Sequence, residues 1–237
     1  LSKGQKLIID VFDSYNLSLY QINTLEIVQD SRNRWYACIT VKDYPKQASS
    51  MGSIGIDLGL KESATTSNGD KLIIKQTQKW ANKLAVAQRA KNKKRVKAIH
   101  AKIKNTRLDL IHKFTTKLVK DNSLIVVGDV KSRSFTTKKT KLAKSTYDAG
   151  WFELKRQLEY KCKHAGCQFE IVNESYTTQT CSCCHKISDS SPKGRAGLRI
   201  RGWACAECGT WHDRDINAAK NILAVGLDRL AVGIPSV

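Results

Sequence analysis

The period of apolar and polar positions changes several times along the chain, and each change marks an element. Over residues 1–47, three short runs rich in β-branched and aromatic residues read as strands: KLIIDVF, LYQINTLEIV and RWYACITVKDY. ASSMGS is a linker. SIGIDLGL is an apolar run interrupted by Asp57 and closed near Gly59. KESATTSNG and DKLII continue a meander, with a turn at Asn68, Gly69 and Asp70. From about Gln76 to Asp121 the spacing predicts basic helices with a bend near Lys91–Lys94, and Leu108, Leu110, Ile111 and Leu118 form the apolar face. LIVVGDV has the unbroken apolar character of a strand buried in a parallel sheet. SRSFTTKKTKLAKST is a polar, basic loop. DAGWFELKRQLEYKCKHAG is an amphipathic helix with Trp151, Leu154, Leu158 and Cys162 on one stripe and Gly166 as its stop. CQFEIVNES is a further strand, followed by a cysteine-rich insert and a last helix from about Asp213.

With the insert set aside, the order from residue 53 is β-β-β-α-β-α-β-α. Three antiparallel strands come first, then parallel strands joined by helices. That is the order of a ribonuclease-H-like α/β fold, with the fourth strand beside the first and the fifth beside the fourth.

Composition narrows the function. The chain has 237 residues, 41% of them hydrophobic, enough for a real core. Lys and Arg number 41 against 21 Asp and Glu, a formal net charge of +20. Solubility needs only about 2–8 charges on a small domain, so the excess points to a polyanion, nucleic acid first. The sequence shows no export signal and no apolar run of membrane-spanning length, which argues against a membrane protein and for a cytoplasmic, nucleoid-associated location. The chain opens at Leu1 in sequence that reads as mid-domain, and a preceding portion is expected. Eight cysteines without export signals argue for metal rather than disulfides.

The insert carries Cys181-x2-Cys184 and Cys205-x2-Cys208, the spacing of a zinc ribbon. Each CxxC turn aims two thiolates at one ion, and four thiolates close the coordination sphere, so such an ion is structural. His185 and His212 are the alternative ligands. Cys183 reads as a bystander, and Cys38, Cys162 and Cys167 as core or strand residues. Among the acids, Asp57 interrupts an apolar strand, and a charge there needs a reason. It is either a metal-binding carboxylate or the cap of the Gly59 turn. Asp215 follows the insert on the last helix and suits a second metal-binding carboxylate, whereas Asp213 is either a further candidate or the helix N-cap.

IGIDLG, the basic helical pair, YTTQTCSCC, CAECG and DRDINAAKNIL together resemble TnpB, the OrfB-type transposon-encoded proteins related to type V CRISPR effectors. The resemblance covers essentially the whole chain. It implies a RuvC nuclease core over 51–176 completed by 213–237, a zinc ribbon over 177–212, and the end of a wedge β-barrel over 1–50. It also implies an RNA-guided DNA endonuclease that uses guide RNA, target DNA and Mg²⁺. One departure stands out. The family ends its fourth strand in Glu-Asp, and this chain has Gly128 then Asp129. The fifth strand, which opens on the same sheet edge about 5 Å further over, ends in Asn173 and Glu174, near a position where the family often has Pro. Strand alternation turns Asp129 to the other face, so Glu174 is the preferred replacement and Asp129 the competitor. Phosphate contacts are expected from Lys91, Lys93, Lys94 and Arg95 on the helices and from Lys193, Arg195, Arg199 and Arg201 in the ribbon. Trp80, Trp151, Trp203 and Trp211 are candidate base-stacking groups, with Trp151 assigned to the core. Two other readings are a degenerate nucleic-acid-binding protein, given the loss at Gly128, and a DNA-strand transposase, which the same fold class can host.

Overall fold

A computed structural model describes residues 8, 10, 12–13, 16–42, 51–130, 142–197 and 199–232, with the side chains of all but Lys144 and Arg195. Most of the KLIIDVF run, most of the basic loop after Val130, and the last five residues lie outside the described residues, as does the Arg195 side chain.

Strands β1 (Ile22–Gln29) and β2 (Trp35–Val41) pair as an antiparallel hairpin. They are exposed along most of their length. Among the described residues this two-stranded sheet gains no third strand.

The central sheet has five strands: β3 (Gly52–Asp57), β4 (Ala64–Thr66), β5 (Lys71–Leu72), β6 (Asn122–Gly128) and β7 (Gln168–Val172). Their order is β5-β4-β3-β6-β7. β3, β4 and β5 are antiparallel, and β6 and β7 run parallel to β3, as the sequence order implied. The turn between β4 and β5 falls at Gly69, whose φ of 92° lies in the region glycine tolerates best.

Helix α1 (Gln76–Arg89) is separated from α2 (Lys93–Asp121) by a sharp break. Lys91 there is left-handed (φ 50°), and the Asn92 side chain caps α2 by accepting from the Arg95 amide at 2.9 Å. The two helices pack through Leu84, Ala87, Val96, Ile99 and Ile103. After a short helix α3 (Ala143–Ala149), Gly150 turns the chain into α4 (Trp151–Ala165), which Gly166 ends in the left-handed region. The last helix is α5 (Arg214–Ala231).

Alternation along β6 splits the core in two. Ile125 and Val127 face Ile111 and Leu118 of α2 and Leu154 and Leu158 of α4. Leu124 and Val126 face Ile222 of α5 on the other side. The sheet is thus covered on both faces, which is why LIVVG is apolar throughout. Helix α5 crosses β3 at Gly55, where an added Cβ would fall 2.0 Å from the Ala219 carbonyl oxygen and 2.8 Å from Leu223. That contact is with backbone and cannot yield. Gly55→Ala should therefore destabilise the fold by about 3 kcal/mol or more, above the usual overpacking cost. A lowered urea midpoint at unchanged slope would show it, and an unchanged midpoint would contradict the packing.

Candidate active site and cysteine cluster

Parallel pairing places the C-terminal ends of β3, β6 and β7 at one edge of the sheet. Asp57 ends β3, half-buried. The next residues, 58–62, form a loop held by Trp151, whose indole Nε1 donates to the carbonyls of Gly59 (3.2 Å) and Ser63 (3.1 Å). Glu174 follows β7 in a fixed turn. The Asn173 Oδ1 accepts from the Ser175 amide (2.9 Å), and the Glu174 carbonyl accepts from the Thr177 hydroxyl (2.8 Å) and amide (3.2 Å). Asp215 lies in the first turn of α5, 8% exposed. Asp57, Glu174 and Asp215 line one cleft of about 470 Å³, with Glu62, Arg201 and Arg214.

Glu174 takes the space a side chain on β6 would have used. A Cβ built on Gly128 would stand 2.9 Å from the Glu174 Oε2 and 3.3 Å from its Cβ. A side chain on residue 128 and that of Glu174 would therefore compete for the same space. Asp129 does not line the cleft. Its side chain is 47% exposed and pairs with Lys155 at 3.1 Å. Asp213 is the N-cap: its Oδ1 accepts from the Asp215 and Ile216 amides, both at 3.0 Å, and its other oxygen pairs with Lys71 at 3.5 Å.

The carboxylates feel one another. Burial, then the charges of Asp215 and Glu174, push Asp57 up to about 8, against the opposing pull of Arg214 and Arg201. Burial also raises Glu174, opposed by Lys155 and reinforced by Asp129. Asp57 thus binds its proton more tightly in the folded than in the unfolded chain. That stabilisation is complete below pH 4 and is lost as pH rises to about 8. Between pH 5 and pH 8, without divalent ions, the chain should lose at least about 1 kcal/mol of stability that Asp57→Asn does not lose. Urea titrations at the two pH values give the unfolding free energies, and an equal loss between pH 5 and pH 8 for both proteins would contradict it.

Arg201, expected to contact phosphate, reaches back into the cleft. Its Nη1 donates to Asp215 at 2.5 Å and stands 3.9 Å from Glu62. Arg214 holds the other Asp215 oxygen at 3.0 and 3.1 Å. Lys91, Lys93, Lys94, Arg95, Lys193 and Arg199 are exposed, as phosphate contacts require. The sequence reading missed Glu62 and Arg214, which line the cleft. It also missed Asn217 and Asn221, which support it: their side-chain amides donate to the carbonyls of Thr177 and Thr180, and Asn217 Oδ1 accepts from the Ser182 amide at 2.9 Å. These bonds tie the turn that follows Glu174 to α5. Two asparagines at i, i+4 on an apolar helix face were the available signal.

The insert folds around its cysteines. Cys181, Cys184, Cys205 and Cys208 bring their sulfurs within 4.8 Å of one another, a group that could hold a metal ion. The Cys181 and Cys208 sulfurs lie 3.6 Å apart, and those of Cys184 and Cys205 3.7 Å. Four thiolates about 2.3 Å from one zinc ion would sit about 3.8 Å apart, and a disulfide would be far shorter. His212 Nε2 lies 3.0 Å from the Cys181 sulfur, placed to orient that thiolate. Strands β8 (Gly202–Ala204) and β9 (Trp211–Asp213) form the hairpin beneath, with Trp203 packed on the sulfurs.

Comparison with known proteins agrees with this arrangement. Residues 36–139 match the OrfB_IS605 family, described as "Probable transposase", and residues 151–222 match "Cas12f1-like, TNB domain". A "Putative RNA-guided DNA endonuclease" of Streptomyces pristinaespiralis is 33% identical over 225 residues, 89% of this chain and 54% of that protein. The "Putative RNA-guided DNA endonuclease InsQ" of Escherichia coli K12 is 30% identical over 87% of this chain and 57% of its own length. The chain thus spans about half the length of these relatives. A solved Cas12f1–sgRNA–target DNA complex shares the fold with a TM-score of 0.53 at 18% identity, covering 84% of this chain and 55% of that one. By these matches, and by the strand order and motifs that carry them, the chain belongs to the TnpB/OrfB family of transposon-associated proteins.

Proposed function

We propose that the chain is the nuclease portion of an RNA-guided, Mg²⁺-dependent DNA endonuclease. Its core would be ribonuclease-H-like (RuvC) over 51–176, completed by α5, with a zinc ribbon over 177–212 and a wedge-like segment over 1–50. The strand order β5-β4-β3-β6-β7 supports that core, and the 3.6–3.7 Å sulfur spacings support zinc. The relatives' names and the charge of +20 support guide RNA and target DNA as partners. No described helix is long and apolar enough to cross a membrane.

The observation that carries the reading is the meeting of Asp57, Glu174 and Asp215 in one cleft. Three carboxylates on a basic protein suit a hard divalent cation. Burial, and then the repulsion of Asp215 and Glu174, raises Asp57, and a bound cation would offset both. When bound, the ion would supply activated water and stabilise the leaving oxygen. Asp57 and Glu174 would hold it from the ends of β3 and β7, the parallel strands on either side of β6, and Asp215 from the helix. Arg201 is placed at the cleft to take a phosphate once Asp215 turns to metal.

Cleavage of labelled target DNA with guide RNA and Mg²⁺ tests the reading. Asp57→Asn and Asp215→Asn should each lower cutting more than about 100-fold while nucleic-acid binding persists. Undiminished cutting by either variant would overturn it. A wild-type chain that binds but does not cut would instead favour the binding-protein reading, to which the arginine clamp on Asp215 already lends some support.

A further inference from the structure

The tryptophans sort themselves by environment. Trp151 and Trp203 are buried, 3% and 5% exposed. Trp80 packs on the α1–α2 core and has the Lys83 and Lys102 amines about 5 Å from its ring centre, at 5.1 and 4.9 Å. Two are exposed: Trp35, which opens β2 far from the cysteine insert in sequence, at 65%, and Trp211, on the ribbon hairpin four residues before Asp215, at 68%.

The sequence around Trp211 makes room for it. Along β8 and β9, Trp203 and His212 face inward and stack with ring centres 4.9 Å apart. The outward positions are Gly202, Ala204, Trp211 and Asp213. The indole is laid against Gly202, where an added Cβ would stand 2.6 Å from Cζ2 and 3.2 Å from Cε2. Any larger residue at 202 would push the indole off this position. An indole backed by a glycine and left open to solvent presents the ring surface that a stacked base needs. The same insert carries exposed Lys193 and Arg199. From Trp211, β9 runs directly into Asp215, at most about 13 Å of strand away.

We infer that Trp211 is a stacking platform for an unpaired nucleobase, gripping single-stranded nucleic acid beside the cleft. The occupant is an unpaired strand: a duplex hides its base faces, whereas every exposed base presents one to an aromatic ring. The inference rests on the nuclease reading for its role, but its test does not depend on cutting.

The test is equilibrium binding of fluorescein-labelled 12-nucleotide strands without divalent ions. Oligothymidylate, oligouridylate and an abasic strand of equal length are compared on wild type, Trp211→Ala and Trp211→Phe. Stacking of one base predicts that Trp211→Ala weakens oligothymidylate or oligouridylate binding about 10-fold. Trp211→Phe should stay within about threefold of wild type, and wild type should bind the abasic strand as weakly as Trp211→Ala binds the intact one. Whichever of the two intact strands loses more assigns the site to DNA or to RNA. The salt slope should not change, because no phosphate contact is removed. Full zinc content in both variants shows that the ribbon is intact. Equal binding by Trp211→Ala and wild type, or equal affinity of wild type for abasic and intact strands, overturns the inference. A chain that never cuts would leave it standing, so the two readings fail separately.

Discussion

Glu174→Ala should lower Mg²⁺-dependent cleavage more than about 100-fold, the loss expected when a metal ligand is removed, whereas Asp129→Ala should stay within a few-fold of wild type. The asymmetry follows from geometry. Glu174 lines the cleft and helps raise Asp57, while Asp129 points outward to Lys155. Asp129→Ala does free Lys155, which then weighs more on Glu174, and a small shift in the pH profile is the expected trace. Calorimetric Mn²⁺ binding gives a readout besides cutting: affinity should fall for Glu174→Ala and hold for Asp129→Ala. If Asp129→Ala loses activity and Glu174→Ala keeps it, the strand-end assignment is reversed.

Chelation of the zinc proposed for the cysteine cluster should have the second large effect. The insert has little core of its own: Cys181, Trp203 and Cys205, with Cys184 packed against them. Without a metal, those thiols and one indole cannot offset the conformational entropy of ordering some 35 residues. Zinc binding contributes about 10–16 kcal/mol in comparable small sites. Chelation, or Cys205→Ser, should therefore unfold the insert while the sheet and its helices persist. Limited proteolysis should cut within residues 182–210 and spare 52–128. The damage should also reach the cleft, because Arg201 and the Thr177–Thr180 turn are held between ribbon and α5. An insert as protease-resistant after chelation as before would mean that packing, not metal, holds it.

Much of this was legible in the sequence, for physical reasons. An unbroken apolar run such as LIVVG forecasts a strand covered on both faces, and the alternate contacts of Leu124 and Ile125 bear it out. The helix break near Lys91 and the stop at Gly166 were also visible. Asp57 was conspicuous as a charge in an apolar strand, and Glu174 through the gap at Gly128. Asp213 had two readings, and its bonds to the Asp215 and Ile216 amides decide for the cap. What the sequence hid were contacts between distant segments. Arg201 read as a phosphate contact in the ribbon loop, and only the fold brings it to Asp215, 14 residues on. Glu62 lay in an ordinary turn. Trp203 and Trp211 were indistinguishable until strand register turned Trp203 inward and Trp211 outward.

The central claim, that Glu174 replaces a carboxylate lost from β6, is tested most directly by moving the carboxylate back. Gly128→Glu alone should be inactive and destabilised, because its Cβ meets Glu174 at 2.9 Å and Ile222 at 3.0 Å. Combined with Glu174→Ala, the carboxylate obstacle is gone, and what remains is the flexible tip of Ile222 and the residue-174 Cβ at 3.3 Å, each needing only a small shift. Cleavage by the double variant within about tenfold of wild type, with both single variants inactive, is the predicted result. A fully active Glu174→Ala, or a folded, metal-binding double variant as inactive as the single ones, would contradict it.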